Sequence, residues 1–217
     1  MKEISVLLTG FEPFGGESVN PSEIVSRDVT KQIDNTLFKD FKIKAKYAVI
    51  PVSFKRSSEA LIKVLKETKP LIAISLGQWG GIPYITVERV AVNLKDSIAT
   101  DNDGVTATDE PIEPSGPAAY FTTLPLKVIL TNLRNNGIPA SISNSAGTYM
   151  CNLVFYELMH FSAKEKYPIK AGFMHVPYLP EQVAMKKGEA LPPSMDKRLM
   201  IEAIKIAIET TIDSLNI

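Results

Sequence analysis

Apolar positions along the chain fall into short continuous runs that alternate with amphipathic helical faces. Ile4 to Leu8 is such a run, ending at Thr9-Gly10, and it predicts a buried strand feeding the glycine-rich loop GFEPFGGESVN. Asn20-Pro21 has the form of a helix start, a side-chain cap before a residue whose φ is already helical, and Ile24 and Val25 continue it. Phe41 to Val52 begins by alternating apolar residues with lysines, which predicts a strand with one wetter face. Ala60, Leu61, Val64 and Leu65 share one face of a helix over Ser57 to Thr68, and Lys69-Pro70 ends it before the buried run LIAISLG.

The second half continues the alternation. Tyr84 to Asn93 is β-rich, and Asp101 to Gly116 is a polar stretch read as an excursion on one face, because apolar elements resume on both sides. Pro117 to Leu133 predicts a helix interrupted at Pro125, with a separate turn as the alternative for its first part. Pro139 to Ser143 is a short strand candidate, Tyr149 to Phe161 a helix, Ile169 to Val176 a strand stopped by Pro177, and Arg198 to Ile212 a closing helix. This order predicts a single α/β domain over residues 1–217, with a largely parallel sheet, helices on both faces and room for antiparallel members. Ligands in such domains sit beyond the carboxyl ends of the strands.

Composition narrows the function classes. A chain of 217 residues with 45% hydrophobic content buries roughly 70% of its unfolded surface, enough for one core. Lys+Arg and Asp+Glu are both 24, so no basic face for nucleic acid is expected. The single cysteine closes no intrachain disulfide, and MKEISVLLTG lacks the form of a secretion signal, so a cytoplasmic protein is expected. No apolar run approaches the ~20 residues of a membrane helix. One Cys and two His, not closely spaced, do not suggest a zinc site. GFEPFGG lacks the spacing of a nucleotide loop, and no GxSxG elbow is present.

Candidate chemistry remains at three positions. Cys151 follows Ala146-Gly147 and the candidate cap Thr148, so it falls at a helix start where N–H groups favour a thiolate and accept a developing oxyanion. The local pattern fits an inert buried cysteine equally well. His175 ends the strand GFMHV, where an imidazole is placed either to move protons or simply to satisfy a strand end. His160 lies more than two turns along the Cys151 helix, too far to serve that sulfur. Glu88, within ITVERVAVN, is either the acceptor that orients an imidazole or a partner in a surface ion pair, and the adjacent Arg89 favours the second.

The segments GFEPFGG, GQWGGIPYITVERVAVN, SNSAGTYMCN and GFMHVPYLPEQ occur in the order and approximate spacing of the pyrrolidone-carboxylate peptidases, the type I pyroglutamyl peptidases. The chain resembles that family from about residue 4 to the terminal helix. The resemblance implies a three-layer α/β/α sandwich and a cofactor-free, metal-free cysteine peptidase that removes N-terminal pyroglutamyl residues. It implies Cys151 as nucleophile, His175 as proton carrier and Glu88 as orienting residue. It places Phe11, Phe14, Gln78 and Tyr149 around the cyclic residue, leaves Arg89 as possible oxyanion or charge support, and implies a cytoplasmic homotetramer. Trp79, Ile82 and Met150 depart from the residues common in the family. A non-catalytic module binding pyroglutamyl peptides, and a hydrolase of another small amide, are the alternative readings.

Overall fold

A computed structural model describes residues 2–215. In chain order its elements are β1 (Lys2–Phe11), α1 (Pro21–Ile33), β2 (Leu37–Phe38), β3 (Phe41–Ile50), α2 (Ser57–Thr68), β4 (Ile72–Gln78), β5 (Ile85–Glu88) and β6 (Val90–Val92). There follow β7 (Lys95–Ser97), β8 (Ala107–Glu110), β9 (Ala119–Phe121), α3 (Leu126–Asn135), β10 (Ala140–Ser143), α4 (Met150–Glu165), β11 (Lys170–Val176), α5 (Pro180–Ala184) and α6 (Lys197–Asp213). The main sheet has the order β10-β5-β11-β4-β1-β3-β2. Its pairs are parallel except β5 with β11 and β2 with β3, which makes the sheet mixed but largely parallel.

The period-2 alternation of strands divides the core between two faces. Ile72, Ile74 and Leu76 of β4 point into one cluster with residues of α1, α3 and α6, while Ala73 points into the other with residues of α2 and α4. Helices therefore cover both faces of the sheet, giving three α/β/α layers, and each large apolar side chain removed from water contributes about 1.5–3 kcal/mol before chain entropy is charged. Asn20 caps α1 as its sequence suggests, accepting from the Ser22 N–H at 3.0 Å with Pro21 in the first turn. Among the described residues no helix is long and apolar enough to cross a membrane.

One local expectation is corrected, and one segment gains detail. The segment after Pro117 is not helical: Ala119–Phe121 pairs antiparallel with β6, and the helix begins at Leu126, directly after the proline that cannot sit in its interior. The polar excursion is not wholly irregular, because Ala107–Glu110 pairs with Lys95–Ser97. The stretch from Asp96 to Asn102, leading into that excursion, braces the loops at the carboxyl end of the sheet. The Asp96 N–H donates to Thr148 O at 2.9 Å, Tyr149 Oη–H donates to Thr100 O at 3.0 Å, and Asn102 Nδ2 reaches Pro13 O at 2.9 Å.

Candidate active site

Strand register brings the candidate residues together. His175 of β11 lies opposite Thr86 of β5 and beside Gly77 of β4. Thr86 and Glu88 are two apart on β5, so they share the face that His175 occupies, and Glu88 reaches the imidazole diagonally. The contact is a 2.8 Å hydrogen bond between His175 Nδ1 and Glu88 Oε1, with Glu88 fully buried and His175 3% exposed. Thr86 Oγ1–H donates to the same carboxylate oxygen at 2.8 Å. A carboxylate only accepts, so Nδ1 carries the proton and Nε2 is left for the cleft. Phe173 and Trp79 bracket the ring, with centroids 5.0 and 5.4 Å from the imidazole.

The imidazole shares the cleft with the sulfur. Burial pulls the His175 pKa down most strongly, but Coulomb attraction and hydrogen bonding from Cys151, followed by Glu88, overcome it and raise the value to about 9. Cys151 sits in the first turn of α4, which no side chain caps, so the N–H groups there remain free to meet negative charge. Thr148 does not act as the cap suggested by its position. Its hydroxyl donates instead to Asp96 O at 2.6 Å, and Tyr149 with an extended backbone takes the capping position. Asn152 fixes the helix start from below. Its amide accepts from the Val92 N–H and donates to Val92 O and Leu94 O, all within 2.9 Å. Gly77 makes space for the thiol: a Cβ on it would meet both Cys151 Sγ and Phe173 Cζ at 2.8 Å.

Two hollows meet at the sulfur. A cleft of about 270 Å³ is lined by Gln78, Trp79, Ser145, Ala146, Gly147, Tyr149, Cys151 and His175. A small recess of about 20 Å³ is walled by Phe11, Phe14, Val52, Gln78, Tyr149, Met150 and Cys151. Phe11, Phe14, Gln78 and Tyr149 thus come to one place, next to Cys151. Tyr149 stays neutral, its phenol pushed up to about 12 by burial and then by Asp101 and Cys151. Arg89 is at the β5–β6 junction, is not among the residues lining either hollow, and its buried Nε has no hydrogen-bond partner among the described residues. His160 lies elsewhere, 2.9 Å from the Tyr120 hydroxyl. No cluster of metal-ligating side chains occurs among the described residues.

Comparison with known proteins decides the family. The family model described as pyroglutamyl peptidase matches residues 4–214. The chain belongs to the pyroglutamyl peptidase family. It is 47% identical over 213 residues to the pyrrolidone-carboxylate peptidase of Pyrococcus furiosus, covering 98% of this chain and 100% of that protein. It is 48% identical over 214 residues to the corresponding protein of Thermococcus litoralis, covering 97% and 94%. A solved variant of the Pyrococcus furiosus pyrrolidone carboxyl peptidase superposes with a TM-score of 0.91 at 46% identity, over 98% of this chain and 100% of that one. Within this pyroglutamyl peptidase, sequence reasoning missed Thr86, Asn152 and Gln182, whose side chains hold the candidate residues. Thr86 had a readable signal, its period-2 spacing from Glu88. Asn152 and Gln182 lay within the SNSAGTYMCN and GFMHVPYLPEQ segments, but their partners lie across the fold and no local pattern names them.

Proposed function

We propose that this cysteine peptidase, acting on N-terminal pyroglutamyl peptide bonds, uses Cys151 as nucleophile, His175 as proton carrier and Glu88 as the residue that orients it. The observation that carries the assignment is the buried 2.8 Å Glu88–His175 bond on a cleft wall shared with Cys151. The thiolate attacks the pyroglutamyl carbonyl, forming a C–S bond while the carbonyl electrons move to oxygen. Free N–H groups at the start of α4 face that charge. Collapse of the intermediate breaks the C–N bond, and the leaving amine takes the proton from His175 Nε2. His175, now neutral, takes a proton from water as it attacks the thioester, which releases pyroglutamate and restores the thiolate.

The recess beside the sulfur accepts the ring. A pyrrolidone is flat and neutral, so Phe11, Phe14 and Tyr149 cover its faces while Gln78 reads its polar edge. About 20 Å³ is room for roughly one water, so the Phe14 loop gives way as the ring enters. An ordinary peptide's ammonium group would be desolvated here with no partner, which disfavours it.

The test is release of an aromatic amine from its pyroglutamyl amide, before and after one equivalent of iodoacetamide. Turnover is expected to disappear as a single label appears on Cys151. Labelling confined to unfolded protein, or full activity after labelling, would sink the assignment. We also place the enzyme in the cytoplasm as a homotetramer. Apolar side chains left bare on one chain, Ile98 and Phe121 among them, support association. Light scattering should give four times the 23.9 kDa chain mass, and a monomer refutes it.

A further inference from the structure

Gln78 faces both hollows, and an isolated amide presents its oxygen or its amino group to a ligand equally well. Here the orientation is dictated by a neighbour. The Leu179 backbone N–H, which can only donate, gives its proton to Gln182 Oε1 at 3.0 Å. Gln182 Nε2 therefore lies at the other end of that amide, and it meets only acceptors: Gln78 Oε1 at 2.9 Å, Glu17 Oε2 at 3.2 Å and Val19 O at 3.4 Å. With a backbone donor on one side and a backbone carbonyl on the other, Gln182 has no competing arrangement. Gln78 must turn its oxygen to Gln182, which leaves its amino group for the cleft. Gln182 is 5% exposed, and Glu17 is itself held by Lys186, whose ammonium lies 4.4 Å from the Tyr178 ring centroid.

We propose that Gln182 is a specificity-determining positioning residue: it locks Gln78 with its amino group forward, so that the pocket offers donors to the ring carbonyl of a lactam. The inference rests on the reading that Gln78 contacts the cyclic residue. It explains a discrimination that apolar walls cannot make. An N-terminal prolyl ring has the same size, but it lacks the ring carbonyl and brings an ammonium, so donors would face donors. The Gln182 amide also ties Glu17, three residues from Phe14, to the position of Gln78, so the aromatic wall and the polar reader are set by one side chain.

The test measures KM and kcat on a pyroglutamyl amide, inhibition by free 2-pyrrolidone, and the iodoacetamide rate at Cys151. Gln182→Met frees the Gln78 amide and is expected to raise KM and the 2-pyrrolidone Ki roughly fivefold. Gln182→Glu keeps the Leu179 bond, so it should fold, but it presents an acceptor that turns the Gln78 amino group away from the cleft. There the rise should be about 30-fold, with kcat and the alkylation rate within about twofold of wild type. A packing role predicts the reverse order, the near-isosteric Gln182→Glu being milder, and that order overturns the proposal. Wild-type constants in both variants, or a parallel loss of alkylation, also overturn it. Pairing Gln182→Glu with Glu17→Gln conserves net charge and should retain the defect, whereas full recovery would assign the defect to carboxylate repulsion and reject the positioning role. Gln78→Met separates the two levels. If it weakens both constants while the Gln182 variants do not, only the positioning fails; if it weakens neither, the lactam-reading role of Gln78 fails as well.

Discussion

Replacing Cys151 with alanine is expected to lower kcat/KM on a pyroglutamyl amide by about ten-thousand-fold or more, while the protein stays folded. The chemistry is lost because no other thiol exists in the chain and no C–S bond can form. The fold survives because the sulfur is only half-buried, in a gap over Gly77 beside Phe173, and the imidazole it leaves keeps its bond to Glu88. His175 should change in a second, independent way. Burial is the largest influence on it and disfavours the charged ring, and the Cys151 sulfur supplies the leading contributions that raise it to about 9, ahead of Glu88. Without the sulfur, burial is opposed by Glu88 alone, so the imidazole should titrate at lower pH than in the native enzyme, as followed by NMR of its ring protons. Comparable kcat in the variant would sink the covalent assignment. An unmoved histidine titration would show that the two groups are not coupled.

The sequence carried the strands and helices wherever one periodicity dominated. LIAISLG gave β4 and Ala60 to Leu65 gave α2, since a continuous apolar run and a helical face are both local signals. Ala119–Phe121 was not legible, because its strand character comes from pairing with β6, and a three-residue alternation before Pro125 has no distinctive period. The site followed the same division. Cys151 and His175 were visible through residue type and position at element ends. Glu88 was ambiguous because burial decides between an orienting carboxylate and a surface ion pair, and burial here depends on β11 and β10 flanking β5. Motif resemblance favours the orienting role for Glu88 where the local pattern does not. Gln182 lay within the quoted GFMHVPYLPEQ segment, yet its contacts with Gln78 and Glu17 span 104 and 165 residues of chain, a relation that no local pattern encodes.

Glu88→Gln tests the orienting residue with nearly unchanged shape, and it is expected to reduce kcat by about a hundred- to ten-thousand-fold. The amide has two ways to meet Nδ1, and each is costly. With its oxygen toward the ring it keeps the bonds from His175 and Thr86 but loses the negative charge that supports the imidazolium. With its amino group toward the ring it forces the proton onto Nε2, and that nitrogen can no longer take one from the thiol. The other end of the side chain gives no relief, because Glu88 Oε2 is buried without a partner among the described residues, so an amino group placed there is unsatisfied. The pH profile should shift in a definite direction. In the proposed scheme the imidazolium is the acid for the leaving amine, so native activity should fall as pH rises through the region of about 9 to which His175 is raised. Glu88 contributes to the raised value by hydrogen bond and by charge, so its removal should move the alkaline limb to lower pH and slow alkylation of Cys151 at neutral pH. An alkaline limb that stays in place together with a native kcat would leave Glu88 as a buried strut of β5 and nothing more.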